Sequence, residues 1–97
     1  MARIILAPAL ARWLPGAPTG VSGEVALELH SDRLDHVLEA LFARFPNLRG
    51  YVLDEHGEVR HHVAIFLDGN AITDKSRLDQ PLRDGSEIYV MQALSGG

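Results

Sequence analysis

Residues 31–46 read SDRLDHVLEALFARFP and form the clearest periodic pattern in the chain. The apolar residues recur at the spacing of one face of an α-helix, namely Leu34, Val37, Leu38, Leu41, Phe42 and Phe45. We predict a helix here that Ser31 or Asp32 caps and that ends before Pro46, because proline disfavours helical geometry in the residue preceding it. A helix with a single apolar face needs a second layer to cover it, so we expect this helix to lie on a sheet.

The segments before and after this helix have the composition and alternation of strands. Predicted strands cover residues 3–6, 24–29, 63–67, a brief 71–72 and 87–92, with a short extended piece at 51–53. Residues 3–6 read as a buried strand, and we expect it to pair antiparallel with 24–29. The dipeptide Asp68-Gly69 or Gly69-Asn70 supplies a tight hairpin turn. This order of strands around one helix predicts a single α+β domain over residues 1–97.

The composition excludes several classes of protein. Among 97 residues there is no cysteine, which rules out a disulfide framework, a thiolate metal site and a cysteine nucleophile. Acidic residues outnumber basic ones by 13 to 9, so we do not expect a nucleic acid as partner. No apolar run approaches the roughly 18 residues of a membrane span, and there is no signal-peptide pattern. We therefore expect a cytoplasmic protein with neither a nucleic-acid nor a membrane partner.

Five histidines are the natural candidates for a metal or acid–base site, namely His30, His36, His56, His61 and His62. None of them has the spacing of a zinc-binding helix, so we interpret them as surface residues and predict no metal site. The sequence also lacks the nucleophile elbow of a hydrolase and the glycine-rich phosphate loops. We predict no catalytic residue and no bound cofactor.

The residues Ser95, Gly96 and Gly97 follow closely on the last predicted strand. We expect residues 93–97 to form a flexible tail that, fully extended, would reach about 17 Å beyond the domain. Because glycine has no Cβ, such a tail fits a narrow channel in another protein. The Gly97 carboxylate is an anion at neutral pH and a poor electrophile. Its activation therefore requires a phosphate-type leaving group, for which ATP is the obvious source.

The order of the elements and the last seventeen residues, PLRDGSEIYVMQALSGG, together resemble the ubiquitin-like β-grasp sulfur carriers of the MoaD/ThiS family. The first loop with Thr19-Gly20, and the run from Gly57 into the strand 63–67, look most like the subgroup that serves cysteine biosynthesis. The resemblance implies a β-grasp fold with one mixed sheet packed on one main helix.

The resemblance also implies a two-step activation of Gly97. A dedicated adenylating enzyme, similar to ubiquitin-activating enzymes, would use ATP and Mg²⁺ to form the Gly97 acyl-adenylate. Sulfur would then displace AMP and leave a thiocarboxylate. A sulfur-accepting synthase would receive this sulfur in biosynthesis of the cysteine, molybdopterin or thiamine type. The chain itself would be a carrier and co-substrate, not an enzyme.

Two other functions stay open at the level of sequence. A ubiquitin-like modifier would be conjugated through Gly97 to lysines of target proteins after the same adenylation. Lys75, the one lysine, would then be the only side chain on which chains of the modifier could be built. A noncovalent interaction module would instead make no use of Gly96 and Gly97. No motif defines the sulfur donor or acceptor.

Strand alternation predicts a docking surface on the sheet. If Ile65 and its neighbours at i±2 face the helix, the residues between them point away from it. In a β-grasp fold this strand pairs with residues 87–92, whose Ile88 and Val90 would also face inward. The outward residues that we expect to bind the adenylating enzyme are Phe66, Tyr89 and Met91.

Overall fold

The computed structural model describes residues 1–16, 19–20 and 23–92 of the chain. The strands are β1 (Ala2–Leu6), β2 (Val25–Leu29), β3 (Val63–Leu67), β4 (Asn70–Ala71) and β5 (Glu87–Gln92), and the helices are a 3₁₀ helix (Pro8–Trp13), α1 (Leu34–Arg44) and α2 (Pro46–Val52). Within the described residues the strands form one sheet in the order β2-β1-β5-β3-β4. β1 and β5 run parallel, and the other neighbouring pairs are antiparallel, including β1 with β2 as predicted. This mixed sheet with its helices confirms the α+β architecture.

α1 buries the apolar face that its sequence predicts. Its buried residues are Leu34, Val37, Leu38, Leu41 and Phe42. They form one hydrophobic cluster with strand residues such as Ile4, Ile65 and Val90. Full burial of one such aliphatic side chain contributes roughly 1.5–3 kcal/mol relative to leaving it exposed. The cluster therefore holds α1 against one face of the sheet.

The start of α1 is capped differently from the prediction. Neither Ser31 nor Asp32 is the N-cap, since that position is Arg33, which has no side-chain capping bond. The Ser31 hydroxyl instead accepts the Arg33 N–H at 3.2 Å. This N–H precedes the first helical residue, Leu34, so the bond does not cap the helix. The first helical N–H, that of Leu34, donates to the Gln80 carbonyl at 2.9 Å. A segment distant in sequence therefore supplies the hydrogen-bond acceptor for the first N–H of the helix, which local capping rules do not predict.

The prediction of an extended piece at residues 51–53 is wrong for its first two residues. Residues 46–52 form α2, and only Leu53 is extended. Pro46 lies in the first turn of α2, where its missing N–H has no helical partner to lose. Leu48 and Val52, four residues apart, are the buried residues of this short helix.

Among the described residues no helix is long and apolar enough to cross a membrane.

The turn between β3 and β4 uses Asp68 and Gly69, the first of the two predicted dipeptides. Their φ angles are 49° and 85°, the left-handed pair that a tight two-residue hairpin turn requires. The Asp68 carboxylate accepts the Glu87 N–H at 2.8 Å. The turn is thereby tied to the first residue of β5.

Candidate functional site

The predicted attachment residue Gly97, with Ser95 and Gly96, lies outside the residues that the structure describes. The last described residue is Gln92, which ends β5 and pairs with Val63 of β3. β5 lies in the middle of the sheet, between β1 and β3. The strand that leads into the C-terminal segment is therefore held from both sides.

The three predicted docking residues lie on one face of the sheet. Phe66 of β3 and Tyr89 of β5 are register partners, and Met91 follows Tyr89 by two residues on the same strand. All three are half-buried, whereas Ile65 and Val90, which alternate with them, are buried in the core. Because successive side chains of a strand point to opposite faces, the three share the face turned away from α1.

The structure adds residues of β1 and β2 that sequence reasoning missed. Ile5 of β1 lies opposite Tyr89 on one side and opposite Ala26 on the other. A row of apolar side chains therefore crosses four strands, from Ala26 through Ile5 and Tyr89 to Phe66. We call the following six residues the apolar patch: Ile5, Ala26, Ala64, Phe66, Tyr89 and Met91.

The prediction of a buried strand at residues 3–6 holds for alternate residues only. Ile4 and Leu6 are buried in the core, whereas Ile5 between them is half-buried on the opposite face. The alternation within β1 carries a signal for this orientation. Neither strand by itself encodes the parallel pairing that places Ile5 beside Tyr89.

A row of charged residues borders the apolar patch on the side away from Gln92. Arg3 lies opposite Glu28 on β2 and opposite Glu87 on β5. Its Nη1 is 3.9 Å from Oε2 of Glu87. Both side chains are exposed, so this ion pair adds little to stability. An apolar centre with a charged border matches the composition of protein interfaces, which have an apolar core and a polar rim.

The histidines do not assemble a metal site in the part of the chain that the structure describes. Four of them are exposed, namely His30, His36, His56 and His61. His62 is half-buried and meets the Tyr51 ring edge-on, with 5.1 Å between ring centroids. Within the described residues no group of three or more metal-ligating side chains is close enough to hold an ion.

A polar groove of about 500 Å³ lies at the opposite end of the sheet, and Asp68, Arg77 and Arg83 are among the residues that line it. At this same end the Met1 ammonium group donates a hydrogen bond to the Asp84 carboxylate. That bond lowers the pKa of Asp84 below its ordinary value, and the attraction between the two charges adds to it. Both features lie near the start of β5, far from Gln92, so neither forms part of the candidate site.

Comparison with known proteins identifies relatives over nearly the whole chain. The sequence model of the ThiS family matches residues 15–97. SAMP1 from Haloferax volcanii is similar in structure, with a TM-score of 0.70 at 24% identity over 99% of this chain and 98% of that one. CysO from Mycobacterium tuberculosis has a TM-score of 0.71 at 16% identity, covering 94% of this chain and 99% of its own. The structure of a BexX/CysO complex from Amycolatopsis orientalis gives a TM-score of 0.70 at 14% identity, over 97% and 99% of the two chains.

A search among curated protein sequences finds no match. At identities below a quarter, the three structural likenesses establish the fold. They confirm the ubiquitin-like β-grasp arrangement expected from the sequence, with α2 as a second, shorter helix beside α1.

Proposed function

Because the chain belongs to the ThiS family, we propose that it is a sulfur carrier protein whose Gly97 carboxylate is activated by a partner enzyme. Family membership confirms the resemblance to the MoaD/ThiS carriers that the sequence indicates. In the proposed reaction the Gly97 carboxylate oxygen attacks the α-phosphorus of ATP, with Mg²⁺ held by the partner, and pyrophosphate leaves. Hydrosulfide then attacks the acyl carbon, the acyl C–O bond to AMP breaks, AMP and one proton leave, and a thiocarboxylate remains on Gly97.

The observation that carries this proposal is the extent of the family match, which runs through Gly96 and Gly97. The fold also supports the proposal, since β5 is the central strand of the sheet and precedes residues 93–97 directly in the chain. The chain supplies a carboxylate on small residues, and the partner supplies nucleotide binding and catalysis. In this proposal the chain is a co-substrate, not an enzyme, and holds no cofactor of its own.

The apolar patch is the proposed docking surface for the adenylating enzyme. Phe66, Tyr89 and Met91 are the residue types that interface cores favour. They lie on β3 and β5, whose paired residues Val63 and Gln92 are next to the point where the described residues end, so a protein seated on them is also close to Gln92. The charged row that contains Arg3 then sets the orientation of the partner more than its affinity.

The thiocarboxylate is proposed to pass its sulfur to a synthase in biosynthesis of the cysteine, molybdopterin or thiamine type. The features of the first loop and of residues 57–67 support the cysteine type among these. Because the reaction uses ATP and a sulfur donor, we propose the cytoplasm as its location.

A second candidate function is that of a ubiquitin-like modifier joined through Gly97 to lysines of other proteins. It is favoured by the similarity to proteins named small archaeal modifier protein 1 from Haloferax volcanii and Methanosarcina acetivorans. The Methanosarcina protein is 26% identical over the full length of this chain, with a TM-score of 0.64. Both candidates require the same adenylation of Gly97 and differ in the acceptor.

Intact mass of the protein recovered from its own cells tests these functions against each other. Replacement of one oxygen by sulfur at Gly97 supports the carrier, and a branched peptide at a target lysine supports the modifier. An ATP–pyrophosphate exchange assay with the cognate adenylating enzyme tests the step that both share. Exchange that persists with a chain ending at Gly96 would overturn activation at Gly97. Absence of exchange with the full chain would instead leave the noncovalent module as the better account.

A further inference from the structure

The single lysine of the chain, Lys75, lies in the segment that follows β4. β4 is only 2 residues long, and just beyond it the Ile72 N–H reaches the Ile65 carbonyl of β3 at 2.8 Å. The Val63 carbonyl, two residues earlier on β3, is met instead by the Lys75 ammonium group at 2.6 Å. The same ammonium group donates to the Arg60 carbonyl at 3.1 Å. Lys75 thus takes the place of a main-chain donor along the edge of β3.

These hydrogen bonds bear on the reactivity of the amine. Acylation requires the lone pair of a neutral nitrogen that is free to attack, whereas the Lys75 nitrogen is engaged as a donor to two carbonyls. The side chain is also half-buried, and its own carbonyl accepts the Val59 N–H at 3.0 Å. Moving the nitrogen away would leave the Val63 carbonyl without this partner, which costs free energy.

The position of the amine makes its reactivity important. Val63 is the register partner of Gln92, the last residue of β5, and Lys75 meets Val63 from the β4 side. Two strand spacings separate the amine from β5, or about 10 Å. Residues 93–97 have a contour length of about 17 Å. An activated Gly97 carbonyl is therefore within reach of this amine, at the high effective concentration of a short tether.

We infer that the fold withholds Lys75 from acylation, so that an activated Gly97 is delivered only to a separate acceptor. This inference rests on the proposed activation of Gly97. The reaction withheld is attack of the neutral Lys75 Nζ on the acyl carbon of the Gly97 adenylate. An amide bond forms, the acyl C–O bond to AMP breaks, and AMP and one proton leave. Within one chain the product is a closed loop, and between two copies it is a dimer; both would consume the carrier.

Acetylation by a small reagent tests the inference without any partner enzyme. The chain is treated with the N-hydroxysuccinimide ester of acetic acid, and the extent at each amine is followed by peptide mass spectrometry. The matched variant, Lys75→Arg with Arg77→Lys, keeps the composition and moves the lysine two positions along. The Arg77 side chain is 63% exposed and is paired with Asp79. A guanidinium at position 75 can still donate to the two carbonyls.

We expect native Lys75 to be acetylated at least about tenfold more slowly than the lysine at position 77, the factor expected from two ordinary hydrogen bonds. The difference should vanish in denaturant. If the variant does not fold, the acetylation rate of Lys75 in the unfolded wild-type chain takes the place of the rate at position 77. Equal rates for Lys75 in the native and unfolded chain would overturn the inference.

A second measurement uses the adenylating enzyme with ATP and Mg²⁺ and no sulfur donor. With pyrophosphate release showing that the adenylate forms, the wild-type chain is expected to give no amide at Lys75. An internal or intermolecular amide mapped to Lys75 would contradict the inference while supporting activation of Gly97. Absence of any pyrophosphate release counts against the proposed function alone. The inference about Lys75 is then tested by the acetylation rates, which need no adenylating enzyme.

Discussion

Ile5 and Tyr89 lie directly opposite each other on the neighbouring parallel strands β1 and β5. Their side chains share the face of the sheet turned away from α1, and Phe66 lies beside Tyr89 on the next strand. The N-terminal strand thus contributes to the same surface as the strand that leads toward Gly97. A partner that docks on this surface contacts β3 and β5, whose pairing fixes the position of Gln92.

Replacement of Phe66 or Tyr89 by alanine is expected to weaken binding to the adenylating enzyme by roughly 1–3 kcal/mol, the range of an anchor residue in an interface. Each side chain is half-buried on the outer face, so the loss of core packing is small. Isothermal titration calorimetry with the purified enzyme measures the change in affinity.

The matched control for both variants is Ile65→Ala, between Phe66 and Ala64 on β3. Ile65 is buried in the core, and its truncation should lower the free energy of unfolding by about 2–5 kcal/mol. The affinity of folded Ile65→Ala molecules for the adenylating enzyme should change little. Unchanged affinity in Phe66→Ala and Tyr89→Ala, together with a large loss of stability, would show that the patch serves the fold and not the partner.

Ile5→Ala tests whether the apolar patch extends to β1. We expect a loss of affinity of about 1 kcal/mol, because isoleucine presents a smaller side chain to a partner than the aromatic residues that anchor interfaces. Ile4→Ala changes the neighbouring residue of the same type, which faces the core and is fully buried. Ile4→Ala should therefore reduce the thermal unfolding temperature far more than Ile5→Ala while leaving affinity alone. Equal effects of the two variants on affinity would remove Ile5 from the docking surface.

The features that the sequence predicts correctly are those encoded within one segment. The α1 stripe from Leu34 to Phe42 is local, and so is the alternation that sets Phe66 apart from Ile65. The Asp68-Gly69 turn is also local, since two left-handed residues in a row have few possible sequences. These patterns were sufficient for the fold class and for the shared face of the docking residues.

The features that the sequence does not reveal depend on contacts between distant segments. Tyr51 and Val52 have high strand propensity, yet packing of Leu48 and Val52 against core residues of other segments places them in α2. The Gln80 carbonyl, not a local side chain, receives the first N–H of α1. The partners of Lys75 belong to the same class, because no sequence rule states which carbonyls a lysine will reach.

Gly96→Val is expected to abolish adenylation without affecting stability. The residue lies beyond β5, and two Cβ branches would obstruct a channel that admits only a bare main chain. Pyrophosphate exchange measures activation, and thermal unfolding followed by circular dichroism measures stability. Ser95→Val provides the neighbouring comparison and should reduce exchange less, because this position lies further from the reacting carboxylate. Full exchange with Gly96→Val would exclude a narrow channel around the C-terminal residues.

Asp54 makes stability depend on pH in the acidic range. Its carboxylate accepts the Glu58 N–H at 3.1 Å and the His56 N–H at 2.8 Å. The bond from Glu58, reinforced by that from His56, lowers the pKa of Asp54 below its ordinary value of 3.8. The folded state therefore binds this proton less readily than the unfolded state does. The contribution of Asp54 is fully present above the unfolded pKa and is lost as the pH falls through the folded one.

Asp54→Asn should therefore reduce the loss of stability on acidification, because an amide oxygen accepts the same two bonds and does not titrate. Urea unfolding between about pH 6 and about pH 2.5 gives the free energy of unfolding at each pH. Glu55→Gln removes the adjacent charge and is the matched control, which should follow the wild-type curve more closely. A residual dependence on pH is expected in Asp54→Asn, since hydrogen bonds from Ser76 also lower the pKa of Asp74. Superimposable curves for wild type and Asp54→Asn would mean that the bonds from Glu58 and His56 do not favour the ionised carboxylate in solution.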